Sequence, residues 1–232
     1  MRIAAWSGPR NLSTAMMYAF GNRADFAIWD EPFYAAYLRQ SGADHPMKAK
    51  IIATHEANAD KVAARCTGSI PGQKPHFYMK HMPHHMTADM PLDWTQDCTN
   101  IHLIRHPARV IASYQAKRAT MTAADLGFKQ QWDMFEKIGG TVIDTSDIRE
   151  NPEDMLHLLC DVIGLEFDPA MLRWAAGPRA EDGIWAKHWY GTVHQSTGFA
   201  GAEGPLPDLS GHDATLLAET LPYYERLSKE KI

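Results

Sequence analysis

The chain has 232 residues, 45% of them hydrophobic and 22% charged, and a formal net charge of −5, the make-up of one large globular domain. The acidic balance argues against nucleic acid as a partner, and no run approaches the roughly 20 apolar residues of a membrane span. Cys66, Cys98 and Cys160 are widely separated without a CxxC pair, and Pro9 breaks the N-terminal apolar run too early for a signal peptide, so a reducing, cytoplasmic setting is expected.

Residues 2–6 read as a buried strand, followed by a turn, Ser7-Gly8-Pro9-Arg10-Asn11, and a helix over 12–22 that Gly21-Asn22 stops. Residues 24–29 form a second short strand ending at Asp30-Glu31-Pro32. Residues 47–66 are weakly helical, and 68–75 make a polar, glycine-rich connection. A third strand, His76 to Lys80, is stopped by Pro83. A fourth, Thr99 to Ile104, leads to Pro107, where a helix begins and runs on to Arg118. Residues 141–144 are the fifth strand. Asn151-Pro152-Glu153-Asp154 opens an amphipathic helix through Val162, closed by Gly164, with Met155, Leu158, Leu159 and Val162 as its core stripe. Residues 177–212 are loop-rich and expected to cover a site, before a last helix near Asp213 to Lys229.

Short apolar strands alternating with helices predict a single α/β domain over 1–232, with a mainly parallel sheet covered by helices on both faces. Ligands of such sheets lie at the carboxyl ends of the strands. The clusters 7–14, 30–31, 80–85, 105–107 and 144–147 all fall there.

The first turn looks like a phosphate-binding loop but breaks the pattern GxxxxGK[ST]. Counted from Gly8, the second Gly, the Lys and the Ser/Thr become Ser13, Thr14 and Ala15. Ser13 and Thr14 at a helix start, with Arg10 beside them, suit an anion. An ordinary helix cap with a surface arginine is the alternative. The missing lysine and Mg²⁺ ligand point to a phosphate handled without metal. In HLIRHPARVIASY, Arg105 ends a strand and Ser113 follows eight residues later, a spacing that does not by itself show a shared ligand. The run Lys80 to His85 holds three histidines. It lacks a carboxylate or cysteine at ligand spacing, and Pro83 breaks its geometry, so no metal site is expected. Trp185, Trp189, Tyr190 and Phe199 either line an acceptor pocket or cap the core.

Taken together, these segments resemble the sulfotransferases that use 3′-phosphoadenosine 5′-phosphosulfate (PAPS). Pro9-Arg10-Asn11-Leu12-Ser13-Thr14 is similar to the family's loop for the 5′-phosphosulfate, with Arg10 where many members carry lysine. Arg105 and Ser113 match its 3′-phosphate pair. Met79-Lys80-His81-Met82-Pro83 is similar to a Lys-Thr-His-Leu-Pro segment, and Thr145 to Pro152 to a Tyr-Glu-Asp stretch. The family's late Arg-Lys-Gly segment has no clean counterpart. Ser196 and Thr197 offer hydroxyls there, and Lys187 and Arg179 are candidate replacements for its cations.

The resemblance implies a P-loop-NTPase-like architecture and a metal-free sulfuryl transfer from PAPS to a hydroxyl or amine of a small molecule. Pro9 to Thr14, Arg105, Ser113, Ser196 and Thr197 would bind the donor. His81 would be the base, with Glu31 its rival, and Arg10 would stabilise the leaving phosphate. Neither nucleic acid nor membrane is an expected partner, and oligomerisation stays open. Two other readings stay open: a P-loop-type kinase, and a non-catalytic nucleotide-binding protein of the same fold.

Overall fold

The computed structural model describes residues 1–115 and 121–232. Five strands make one sheet: β1 (Arg2–Ser7), β2 (Phe26–Asp30), β3 (His76–His81), β4 (Thr99–Ile104) and β5 (Thr141–Asp144). Their order is β2-β3-β1-β4-β5 and every pairing is parallel. The helices are α1 (Ser13–Gly21), α2 (Tyr34–Ser41), α3 (Lys48–Thr54), α4 (Ala59–Thr67), α5 (Pro107–Gln115), α6 (Ala123–Leu126), α7 (Phe128–Ile138), α8 (Thr145–Glu150), α9 (Pro152–Ile163), α10 (Ala186–Trp189), α11 (Gly191–His194) and α12 (Gly211–Ser228).

The all-parallel sheet follows from the strand sequences, which are apolar on both faces and need helices on both sides. Ile3, Ala5, Tyr78, Ile101, Leu103 and Ile143 pack against α1 and α9. Ala4, Trp6, Phe77 and Met79 face α4, α7 and Trp94 on the other side. Helix α1 is apolar nearly all round and is buried from Ala15 to Phe20, because the sheet covers one side and the C-terminal third of the chain the other. Asn22 ends it, and its side-chain amide donates to Ala170 O (2.8 Å) and Arg173 O (2.7 Å).

All five predicted strands are present. The weakly helical 47–66 is two helices, α3 and α4, separated by residues 55–58. Helices α2, α6 and α7 lie in stretches to which the sequence reading gives no element. The predicted end of α5 at Arg118 lies outside the described residues. Helix α9 departs from expectation in its inner face. Leu156, Leu159 and Cys160 are buried, whereas Leu158 and Val162 are 41% and 49% exposed. MLHLLCDVI carries two overlapping apolar stripes, and the sheet takes the one shifted by a residue. Residues 177–212 are largely loops, with the one-turn helices α10 and α11 within them and the first turn of α12 at their end. Among the described residues no helix is long and apolar enough to cross a membrane.

Candidate active site

A cavity of about 1100 Å³ opens at the carboxyl ends of the strands. Each of the five clusters predicted to lie there contributes lining: Pro9 to Ala15, Glu31, Lys80 to His85 in part, Arg105 and Thr145. Residues 189–200 close the opposite side with Trp189, Tyr190 and Phe199 among them.

The β1–α1 loop is strained. Arg10 and Leu12 hold φ values of 62° and 63°, and Glu31, across the cavity, holds 43°. Left-handed backbone at non-glycine residues costs about 1–3 kcal/mol and gathers at functional sites. The loop is nevertheless fixed. Gln131 of α7, 2% exposed, accepts from Gly8 N (3.1 Å) and donates to Leu103 O (2.8 Å). Asn11 also donates to Leu103 O, at 3.2 Å. Leu12 caps α1 without a side-chain hydrogen bond, so the first amides of the helix, at Ser13, Thr14 and Ala15, remain for a ligand at the cavity wall.

Arg10 turns along this wall and donates from Nε to Ser113 Oγ at 2.9 Å. Arg105 donates to the carbonyl of Arg10 at 2.7 Å. Burial and the neighbouring Arg105 both lower the pKa of Arg10, and among the described residues no carboxylate pairs with it. Arg105 itself meets Glu203 in a bidentate pair. Arg149 of α8 reaches the same carboxylate at 2.6 Å, and Arg109 of α5 at 3.3 Å. The Glu203 side chain is 6% exposed. Burial alone would raise its pKa; the arginines reverse this and hold it below the ordinary carboxylate value. Three arginines, Arg105, Arg109 and Arg149, thus meet one carboxylate, a surplus of positive charge suited to phosphates.

The far side of the cavity is a buried ion network. Lys80 Nζ donates to Asp30 Oδ1 (3.0 Å), Glu31 Oε1 (2.5 Å) and Tyr190 Oη (2.8 Å). Tyr190 in turn donates to Asp30 at 2.8 Å, and Gly183 N caps the other Asp30 oxygen at 3.0 Å. Burial would discharge Lys80, but the two carboxylates overcome it and raise its pKa. One ammonium cannot neutralise two carboxylates. Glu31 is the one left over, its pKa raised by burial and by Asp30 against the pull of Lys80. Its Oε2 lies 4.0 Å from His85 Nδ1. His85 stacks between Tyr34 and Tyr37 (4.6 and 4.7 Å), and burial pushes its pKa well down and that of His84 to about 4. Both imidazoles are neutral at pH 7.

Of the predicted residues, Pro9, Arg10, Asn11, Leu12, Ser13, Thr14, Glu31, Arg105, Ser113, Ser196 and Thr197 all line this one cavity. Ser196 Oγ is already engaged, accepting from Trp174 Nε1 (3.1 Å) and donating to Val193 O (2.8 Å). His81 is not brought there. Consecutive strand residues point to opposite faces, and Lys80, paired in register with Ala5, takes the cavity side. His81, in register with Trp6, stacks on that indole at 4.6 Å among Phe33 and Trp94. It is 1% exposed, neither ring nitrogen has a partner, and burial lowers its pKa to about 3. Lys187 and Arg179 also miss the cavity; Lys187 is exposed and Arg179 lies over the Tyr18 ring. Trp185 is in the core, 1% exposed. Among the described residues no cluster of three or more His, Cys, Asp or Glu could hold a metal ion.

Sequence reasoning gave no site role to Lys80, Asp30, Arg149, Glu203 or Gln131, and left Tyr190 between pocket lining and core cap. Lys80 and Asp30 each adjoin a residue that was singled out. Glu203 lies in a loop without periodicity, which gave no signal.

The family described as "Sulfotransferase domain" matches residues 1–231. Two Arabidopsis thaliana proteins, branched-chain-amino-acid aminotransferase-like proteins 2 and 1, are 34% identical over 230 residues and 36% over 234. Each alignment covers 97% of this chain, which spans 41% of the relative's length. Among solved structures, the sulfotransferase domain of the Synechococcus PCC 7002 olefin synthase superposes with a TM-score of 0.53 at 18% identity, covering 96% of this chain and 95% of that one. The sulfotransferase domain of the curacin biosynthetic pathway gives 0.53 at 16%, covering 95% and 97%. A sulfotransferase from Alicyclobacillus acidocaldarius gives 0.54 at 10%, covering 98% and 94%.

Proposed function

The chain belongs to the sulfotransferase domain family, and from that premise we propose that it moves a sulfuryl group from PAPS to a hydroxyl or amine of a small-molecule acceptor. The observation that carries this reading is the contact of Arg10 with Ser113, which joins the two nucleotide-like segments on one cavity wall. The 5′-phosphosulfate would lie against Arg10 and the amides at the start of α1, and the 3′-phosphate against Arg105 and Ser113.

The acceptor would enter on the side of Glu31, His84, His85 and Trp189. Its proton passes to Glu31 Oε2 as its oxygen or nitrogen attacks sulfur. The bond from sulfur to the bridging phosphate oxygen breaks, and the electron pair stays on that oxygen. Arg10 and the α1 amides stabilise the new charge. Lys80 holds the other Glu31 oxygen and fixes its aim. A raised pKa brings a carboxylate base nearer the working pH. No metal is assigned, because Thr14 and Ala15 stand where P-loop hydrolases place lysine and a Mg²⁺ ligand.

Thermal unfolding with nucleotides tests the donor. Adenosine 3′,5′-bisphosphate without Mg²⁺ is expected to raise Tm more than 5′-AMP or ATP with Mg²⁺, at equal concentration. A best response to ATP with Mg²⁺ would transfer the site to the kinase reading. Bisphosphate binding without turnover on any acceptor would leave a binding protein.

A further inference from the structure

Arg105 and Ser113 account for one side of the proposed 3′-phosphate subsite; the opposite side, where a late basic segment was expected, carries no lysine or arginine from residues 191–199. Arg149 stands there instead. It lines the cavity, and it shares the Glu203 carboxylate with Arg105. Its Nε also donates to Gly201 O at 2.9 Å, while Arg109 donates to Gly204 O. The segment 201–204 is therefore tied down by the same guanidinium groups that bind its carboxylate. A carboxylate bridging two arginines that face a cavity has the charge and fork geometry of a phosphate oxygen pair.

Resting on the donor reading above, we propose that Arg149 is the second cation of the 3′-phosphate subsite and that Glu203 occupies this subsite until the phosphate displaces it. Glu203 then competes with the 3′-phosphate for the two arginines and lowers the preference for the bisphosphate. A 5′-nucleotide lacking the 3′-phosphate leaves the carboxylate in place, whereas the bisphosphate must break its contacts and replaces them with stronger ones of its own. Arg109, which does not line the cavity, keeps hold of the segment in both states.

The test is the affinity ratio of adenosine 3′,5′-bisphosphate to 5′-AMP, by titration calorimetry, for the wild type, Glu203→Gln, Arg149→Gln and the double variant. Glutamine keeps the shape of residue 203 and removes its charge. Glu203→Gln is expected to raise the ratio at least about tenfold, about 1.4 kcal/mol, by tightening the bisphosphate and leaving 5′-AMP within about twofold. Arg149→Gln is expected to lower the ratio about tenfold, and to do so again in the Glu203→Gln background. General damage to the fold would weaken both nucleotides together and leave the ratio alone, so 5′-AMP serves as the internal control. A wild type that prefers the bisphosphate, with a ratio unmoved by either substitution, overturns this inference and leaves the donor reading standing. A wild type and a Glu203→Gln variant that both bind 5′-AMP as well as the bisphosphate overturn the two together.

Discussion

Glu31 meets Lys80 at the cavity while His81 stacks on Trp6 away from it, and distinct substitution phenotypes are expected for the two. Glu31→Gln keeps the hydrogen bond from Lys80 in outline but cannot take a proton. Turnover is expected to fall about 10²–10⁴-fold, with bisphosphate affinity almost unchanged in the same titration. The wild-type rate should rise with pH through the pKa of Glu31, which burial and Asp30 place above the usual carboxylate value, and fall away below it as the base is protonated. His84 and His85 are already neutral there and add no limb near pH 6–7. His81→Asn exchanges a ring stacked on Trp6 for a smaller amide. It should lower Tm while the folded protein keeps its turnover. A folded His81→Asn protein with a hundredfold loss, beside an active Glu31→Gln, would reverse the two assignments.

At the scale of elements, α7 reaches across the sheet edge with one buried amide. Gln131 satisfies Gly8 N and Leu103 O, and also donates to Trp6 O at 3.3 Å. Gln131→Met fills the volume but orphans Gly8 N and leaves Leu103 O to Asn11 alone, at a cost of about 1–3 kcal/mol. The expected result is a lower urea midpoint together with weaker bisphosphate binding, since the strained loop loses its tie. Wild-type values for both would show that Asn11 alone holds the loop. The β1–α1 and β4–α5 junctions were legible in the sequence because each is a local event: an apolar run, a Gly-Pro or His-Pro break, then a helix. What was not legible has two physical sources. HFYMKH is covered on both faces, so no alternation says which side Lys80 or His81 takes. The doubly apolar α9 hid its inner stripe for the same reason. The pairing of Arg149 with Glu203 spans 54 residues and ends in a loop, where no periodicity exists to read.

For the whole molecule, acid stability is dominated by imidazoles buried in neutral form. Burial lowers the pKa of His81 to about 3 and of His84 and His102 to about 4, and takes His85 well below its usual value. Between about pH 6.5 and 4 the unfolded chain binds protons that the native state refuses. The stabilisation is complete above about pH 6.5 and is lost as pH falls, by up to about 1.4 kcal/mol per pH unit for each histidine. Glu31, with its raised pKa, acts in the opposite sense, but it is one group against four. Urea midpoints are expected to decline steadily from pH 7 to pH 5. A midpoint flat across that range would mean that these rings are protonated in the native protein.

The hydrogen bond from Tyr190 to Asp30 joins residues 160 apart in sequence, and the Lys80–Asp30 pair beneath it joins residues 50 apart. The five strands are complete by residue 144, so the sheet and its charged pair can exist before the segment that seals them. On a ribosome adding about 5–20 residues per second, Lys80 precedes Tyr190 by several seconds. From the completion of β5 at Asp144 until Tyr190 is made, the Lys80–Asp30 pair lacks the hydroxyl that closes over it. The burial that raises the pKa of Glu31 is therefore completed late, when the segment carrying Tyr190 arrives.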